Sequence, residues 1–262
     1  MNASPSPSPP ASSAPEVAAQ VRTGTATDQG PRPTQCDAVA VAQMPLSTAW
    51  AAALVDGYGT HPDVPTVAQS AALVAARSAL SGGSAPAALE TVGRTLTGRD
   101  TDGWPEPDAV GAVAVGDEQG VVVAWTGDVR AYVLDPDGST LHLLTADHTE
   151  GARLRAMIAA GEPVIEDPAE FDHVVTSTLG RLVDDPASMG TASYEGPWVA
   201  VVLTSDGVHD ALEAAELCRI VATTTDPAEC AAALVAAARA ADVEAGAQAV
   251  EDNATAAVIT RR

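Results

Sequence analysis

Residues 108–135 read DAVGAVAVGDEQGVVVAWTGDVRAYVLD. Three Val-rich apolar runs follow one another here, at 108–116, 120–127 and 130–135. Runs this short, rich in β-branched residues and bounded by Gly or Asp, predict strands, and the first two, separated by Asp-Glu-Gln, predict a β-hairpin. Nothing helical separates the three, so the pattern points to antiparallel pairing.

Working outward, similar runs predict strands at 37–43, 48–55, 139–145, 198–205 and 254–260. Helical spacing predicts helices at 64–82, 86–97, 150–160, 211–222 and 227–243. The last follows Thr225-Asp226-Pro227, which suits an N-cap and first helical position. Strands come in consecutive runs and helices in pairs. That predicts a layered α+β fold with largely antiparallel sheets rather than a doubly wound parallel sheet. Residues 1–16, rich in Ser, Pro and Ala, predict a disordered tail, and 17–262 a single domain without internal repeats.

The 262 residues are 46% hydrophobic, enough for a sizeable core. Thirteen basic residues, all arginine, face 35 acidic ones, for a formal net charge of −22. A nucleic-acid-coating protein needs a positive footprint, and so does docking on an anionic membrane; both are excluded. Excess carboxylate suits the binding of hard cations. Cys36, Cys218 and Cys230 are odd in number and form no C-x-x-C pair, which predicts a reducing, cytoplasmic setting without disulfides. The N-terminus has no secretory pattern, and no stretch predicts a membrane span.

Several predicted strands begin or end at aspartate. Asp37 opens one, Asp56-Gly57 and Asp206-Gly207 close two, Asp128 follows another, and Asp252-Asn253 opens the last. For each alone, Asp-Gly as a turn signal is an equal reading. Five together point to a carboxylate cluster on one rim, where like charges repel unless a hard divalent cation neutralises them.

These segments, in this order, resemble the metal-dependent protein phosphatase family (type 2C serine/threonine phosphatases, PPM) in its bacterial form. TDQGPRPTQCDAVAV carries Arg32 and Asp37 of the opening motif; LVDGYGTH carries Asp56, Gly57, Gly59 and His61. TGDVRAYVL matches at Gly127, Asp128, Arg130 and Tyr132, and LLTADHT and VVTSTLG follow. VLTSDGVHD matches at Asp206, Gly207 and Asp210, and EDNATAAVI at Asp252 and Asn253. The likeness covers about 22–260. It implies a four-layer α-β-β-α sandwich. It also implies two Mn²⁺ or Mg²⁺ ions, with Asp56 bridging, the Gly57 carbonyl on one, and Asp206 and Asp252 on the other. Asp37 would hold metal-bound waters, and Asp128, Asp206 and Asp210 would hold a third, weaker ion. Arg32 would grip the substrate phosphate, and His61 would be a proton donor or a structural group. The implied activity is direct hydrolysis of phosphoserine or phosphothreonine in a protein by a hydroxide bridging the two ions. It would oppose a bacterial serine/threonine kinase.

Four residues depart from the family pattern. Cys36 replaces Glu or Gln before Asp37, which reads either as a tolerated buried thiol or as a weakened, redox-sensitive metal site. Gln35, Thr60 and Ser177 stand where Asn, Gly and Arg are usual, and bear on substrate handling. Two other readings follow: a degenerate module that binds a phosphoprotein, and a partner-switching phosphatase acting on anti-sigma-factor antagonists.

Overall fold

A computed structural model describes residues 21–45, 47–96, 107–246 and 249–261. The tail expected at 1–16 lies outside the described residues. Among the described residues, ten strands form two five-stranded sheets in which every neighbouring pair is antiparallel. The first sheet contains β1 (Val21–Asp28), β10 (Ala254–Arg261), β9 (Ala200–Thr204), β6 (Arg130–Leu134) and β7 (Leu141–Leu143), in that order. The second contains β2 (Asp37–Gln43), β3 (Trp50–Tyr58), β4 (Asp108–Gly116), β5 (Gly120–Thr126) and β8 (Gly190–Glu195).

Strand periodicity builds the layers. Along β3, Trp50, Ala52 and Leu54 join the apolar cluster between the sheets, while Ala51, Ala53 and Val55 join the one beneath the helices. Along β9, Val201 and Leu203 face the inter-sheet core, and Ala200 and Val202 face outward. Alternation with both faces apolar is what a sheet needs when it is covered on both sides. Helices α1 (Val64–Gly82) and α2 (Ala85–Leu96) cover the second sheet, and α5 (Ala214–Thr223) and α6 (Pro227–Ala245) the first. The result is the expected four-layer sandwich. The buried stripe of α1 is largely alanine, including Ala68, Ala72, Ala75 and Ala79, so the helix lies close on its sheet.

The ends of the helices follow local chemistry. Asp226 caps α6 by accepting from the N–H groups of Ala228 and Glu229, each at 3.0 Å, with Pro227 in the first turn. Gly83 ends α1 in the left-handed conformation at φ 64°.

Two strands, β1 and β8, lie outside the sequence expectation. Both are edge strands, and β8 alternates half-buried with exposed residues, so neither carries a Val-rich run. The helix expected at 211–222 is α5, starting at Ala214, and an unexpected single turn, α4 (Asp206–His209), precedes it. Helix α3 (Glu150–Ala159) lies in the long connection from β7 to β8.

Candidate active site

Antiparallel register brings the strand-end aspartates to one rim. Asp37, opening β2, pairs directly with Asp56 near the end of β3, and Asp56 pairs on its other side with Val110. The end of β5 pairs with the start of β4, which sets Asp128 beside that position. In the other sheet the end of β9 pairs with the start of β10, so Asp206 and Asp252 flank one edge. A cavity of about 640 Å³ opens between these ends, and Arg32, Asp56, His61, Asp128, Asp206 and Asp252 line it, with Gly57.

Two glycines make the close approach possible. A side chain at Gly207 would put its Cβ 2.0 Å from the Asn253 carbonyl oxygen, and one at Gly57 would meet a Val64 methyl at 2.8 Å. The Asp-Gly pairs are therefore packing requirements here, not mere turn signals.

The carboxylates share their charge uneasily. Burial pushes the Asp56 carboxyl well above its usual range, and Asp37, Asp206, Asp128 and Asp252 add to the push. Burial also raises Asp206, helped by Asp128, Asp252, Asp37 and Asp210. Asp128 is pushed up to about 6 by burial, with Asp147 and Asp210 adding to it. Asp37 does not line the cavity. It lies buried beside Asp56 on the neighbouring strand, accepts from Ser205 Oγ at 2.7 Å, and is raised to about 6, chiefly by burial. Buried like charges on hard oxygen donors match the needs of a divalent cation. Among the described residues no three His, Cys, Asp or Glu side chains stand as a ready-made coordination group. The fit therefore rests on the donor chemistry and the mutual repulsion of the acids.

Arg32 is tethered across the rim. Its Nε donates to the Glu251 carbonyl at 3.0 Å and its Nη2 to Asp252 Oδ2 at 2.5 Å. Nη1 has no partner among the described residues, and half of the side chain is exposed at the cavity. Asn253 staples the loop that carries Arg32: its Oδ1 accepts from Cys36 N–H at 2.7 Å, and its Nδ2 donates to the carbonyls of Gln29 and Thr34. His61 Nδ1 accepts from Asp63 N–H at 3.0 Å, which places the proton of the neutral ring on Nε2.

Asp210 sits apart, in a second cavity of about 700 Å³ that shares Asp128 with the first. Burial raises its carboxyl too, against the pull of Arg130. Arg130 forms a bidentate pair with Asp147 at 3.0 and 2.6 Å, which ties β6 to the turn at 143–149. His148 in that turn stacks on Trp125, a structural role.

Of the departures from the family pattern, Cys36 and Thr60 line the cavity, and Gln35 and Ser177 do not. Gln35 donates to Thr27 and accepts from the Asp37 N–H. Ser177 is buried, bonded to Thr126 Oγ1 at 2.6 Å and to the Ser188 carbonyl at 3.0 Å, so its bearing is on packing rather than on substrate. Burial first, and then Asp37 and Asp252, raise the Cys36 thiol, which disfavours the reactive thiolate. His173, at the rim of the first cavity, was reachable by no motif; only tertiary structure brings it there.

No protein-family model matches the chain, and no curated protein matches it by sequence. Solved structures match it in fold. A serine/threonine phosphatase of S. agalactiae is 18% identical with a TM-score of 0.73, over 92% of this chain and all of that one (100%). The serine/threonine phosphatase Stp1 of Staphylococcus aureus is 17% identical with a TM-score of 0.71, over 96% of this chain and 99% of that one. The catalytic domain of the serine/threonine protein phosphatase PstP, solved with two manganese ions, is 18% identical with a TM-score of 0.67, over 92% and 97%. The chain has the fold of the bacterial serine/threonine phosphatases.

Proposed function

We propose that this chain, built on that fold, is a Mn²⁺- or Mg²⁺-dependent phosphatase of phosphoserine and phosphothreonine in proteins, opposing a serine/threonine kinase in a bacterial cytoplasm. The observation that carries the reading is the meeting of Asp56, Asp128, Asp206 and Asp252 with Arg32 in one cavity. Asp56, Asp206 and Asp252, with the Gly57 carbonyl, would hold two cations, with Asp37 on the strand beside Asp56 supporting them through water. Asp128 and Asp206, with Asp210 in the adjoining cavity, would hold a third. Divalent cations bound there supply Lewis-acid stabilisation of the phosphoryl oxygens and a water acidic enough to ionise near neutral pH.

The protein groups do the rest. Arg32 Nη1 donates to a phosphate oxygen, while the bonds to Glu251 and Asp252 hold its plane. His61, with its proton on Nε2, offers a hydrogen bond to the leaving serine or threonine oxygen. Asn253 keeps the Arg32 loop at a fixed distance from the carboxylates. Fixed donors around a transferring phosphoryl group act chiefly by positioning and electrostatic stabilisation.

The test is hydrolysis of a phosphothreonine peptide with Mn²⁺, with Mg²⁺ and with EDTA. Turnover that needs the metal, and that Asp206→Asn lowers by about a hundredfold or more, supports the reading. A folded protein that binds Mn²⁺ yet turns over nothing overturns it in favour of a phosphoprotein-binding module.

A further inference from the structure

Two arginines hold the segment 250–252, and only one of them faces the first cavity. Arg32 lines that cavity. Arg239, on α6, does not, and its side chain is 19% exposed. All three of its guanidinium nitrogens are bonded. Nε donates to Asp28 Oδ1 at 3.1 Å, and Nη1 to Asp242 Oδ2 at 3.2 Å. Nη2 donates to the carbonyls of Asp28 at 2.9 Å and Asp252 at 2.6 Å. The backbone of Gly30 lies flush against the fork: a side chain there would put its Cβ 2.6 Å from Nη2. One planar group therefore joins the end of β1 to the approach to β10.

Asp242, further along α6, adds a second tie. Its Oδ1 accepts from the Val250 N–H at 2.9 Å. Val250 and Asp252 are thus both bonded to α6, and Glu251 lies between them. Among the described residues Glu251 is the one non-glycine with a positive φ, at 53°. A left-handed backbone under a side chain is costly and persists only where the surroundings impose it. Here a bond on each side imposes it. The Glu251 carbonyl held in this way accepts from Arg32 Nε, and the Asp252 carboxylate accepts from Arg32 Nη2. Both anchors of the guanidinium that faces the cavity therefore lie on a segment tied to α6.

We propose that the Arg239–Asp242 pair positions Arg32. The pair fixes the backbone of 250–252 and, through the Glu251 carbonyl, the plane of the guanidinium that meets the substrate phosphate. Arg239 is a positioning residue, acting through Arg32 from outside the cavity. The proposal rests on the phosphatase reading for what Arg32 meets, but not for how Arg32 is held.

The experiment uses the full chain at saturating Mn²⁺, with a phosphothreonine peptide and with para-nitrophenyl phosphate. Arg239→Gln lowers kcat/KM for both roughly tenfold, the loss expected when a charged hydrogen bond to the phosphate is misaligned. In an Arg32→Gln background the same change costs less than about twofold, because the group it acts through is gone. Arg22→Ala is the control for stability. It cuts the ion pair between β1 and Asp226 at the start of α6, lowers stability, and leaves kcat/KM at the wild-type value. If Arg239→Gln does not fold, Asp242→Ala takes its place. It keeps the bonds of Arg239 to Asp28 and Asp252 and gives the same pattern with a smaller loss. An equal loss in the Arg32→Gln background overturns the proposal, and so does a matching loss in Arg22→Ala. A second readout needs no turnover. In heteronuclear NMR of the Mg²⁺-loaded protein, the Arg32 Nε–H signal is assigned by its disappearance in Arg32→Lys. It exchanges slowly with water in the wild type and in Arg22→Ala, and it shifts and exchanges faster in Arg239→Gln. A signal unchanged in Arg239→Gln overturns the proposal. If no phosphate ester is hydrolysed, the phosphatase reading fails by itself, and this signal alone decides how Arg32 is held.

Discussion

Asp128 shows how burial and repulsion become a property of the whole molecule. Its carboxyl, like that of Asp37, is raised to about 6 in the folded chain, against an ordinary value near 3.9 unfolded. Between those values the folded state keeps protons that the unfolded state has released. Stability from these groups is therefore full below about pH 4 and is lost as pH rises through 6. We expect thermal melting of the metal-free protein to fall from pH 5 to pH 8, and Asp128→Asn to flatten that fall. Mn²⁺ at pH 8 should raise the melting temperature of the wild type more than that of the variant. A metal-free melting temperature that climbs over this range would contradict the carboxylate repulsion. Asn253 makes the opposite case, a polar group satisfied three times over. Asn253→Ala leaves the Cys36 N–H and two carbonyls without it. Denaturant unfolding should show a loss of about 1–3 kcal/mol, and the KM for a phosphopeptide should rise as Arg32 loosens.

At the scale of elements, the site depends on how short loops meet strand ends. Gly207 is the second residue of the single turn α4, and the Asn253 carbonyl occupies the place a side chain there would take. Gly207→Ala forces a β-carbon into a 2.0 Å approach, so the turn must move and carry Asp206 with it. We expect weaker Mn²⁺ binding by calorimetry in a chain that still folds. Asp226 offers a milder test. Asp226→Ala removes two cap bonds on α6 and the ion pair with Arg22, and should cost about 1–2 kcal/mol by denaturant unfolding. The elements also show where sequence reading stopped. β3 and β4 were legible because both faces are buried and the strands are almost wholly apolar, rich in Ala and Val. β1 and β8 lie at sheet edges, where exposure dilutes the apolar signal and only the partner strand marks them.

On the scale of the whole molecule, three apolar layers hold four layers of secondary structure together. Leu54 is wholly buried in the inter-sheet core, one strand position from the Val55-Asp56 edge of the site. Leu54→Ala should cost about 2–5 kcal/mol, measured by denaturant unfolding with and without Mn²⁺. A cost that vanishes with metal would mean that the sheets are held from the rim rather than from the core. Read alone, the chain determined the layered antiparallel class, the pairing of helices and the aspartates of the rim. Each of these is written in local periodicity or in a residue beside a turn. Which aspartates share a cavity, that Asp37 is buried away from it, and that Asp210 faces a second cavity walled by Arg130 and Arg155, were decided only by the tertiary structure. Cross-strand register and the meeting of distant loops set those distances, and residues many positions apart carry no mark of their spacing until the sheets close.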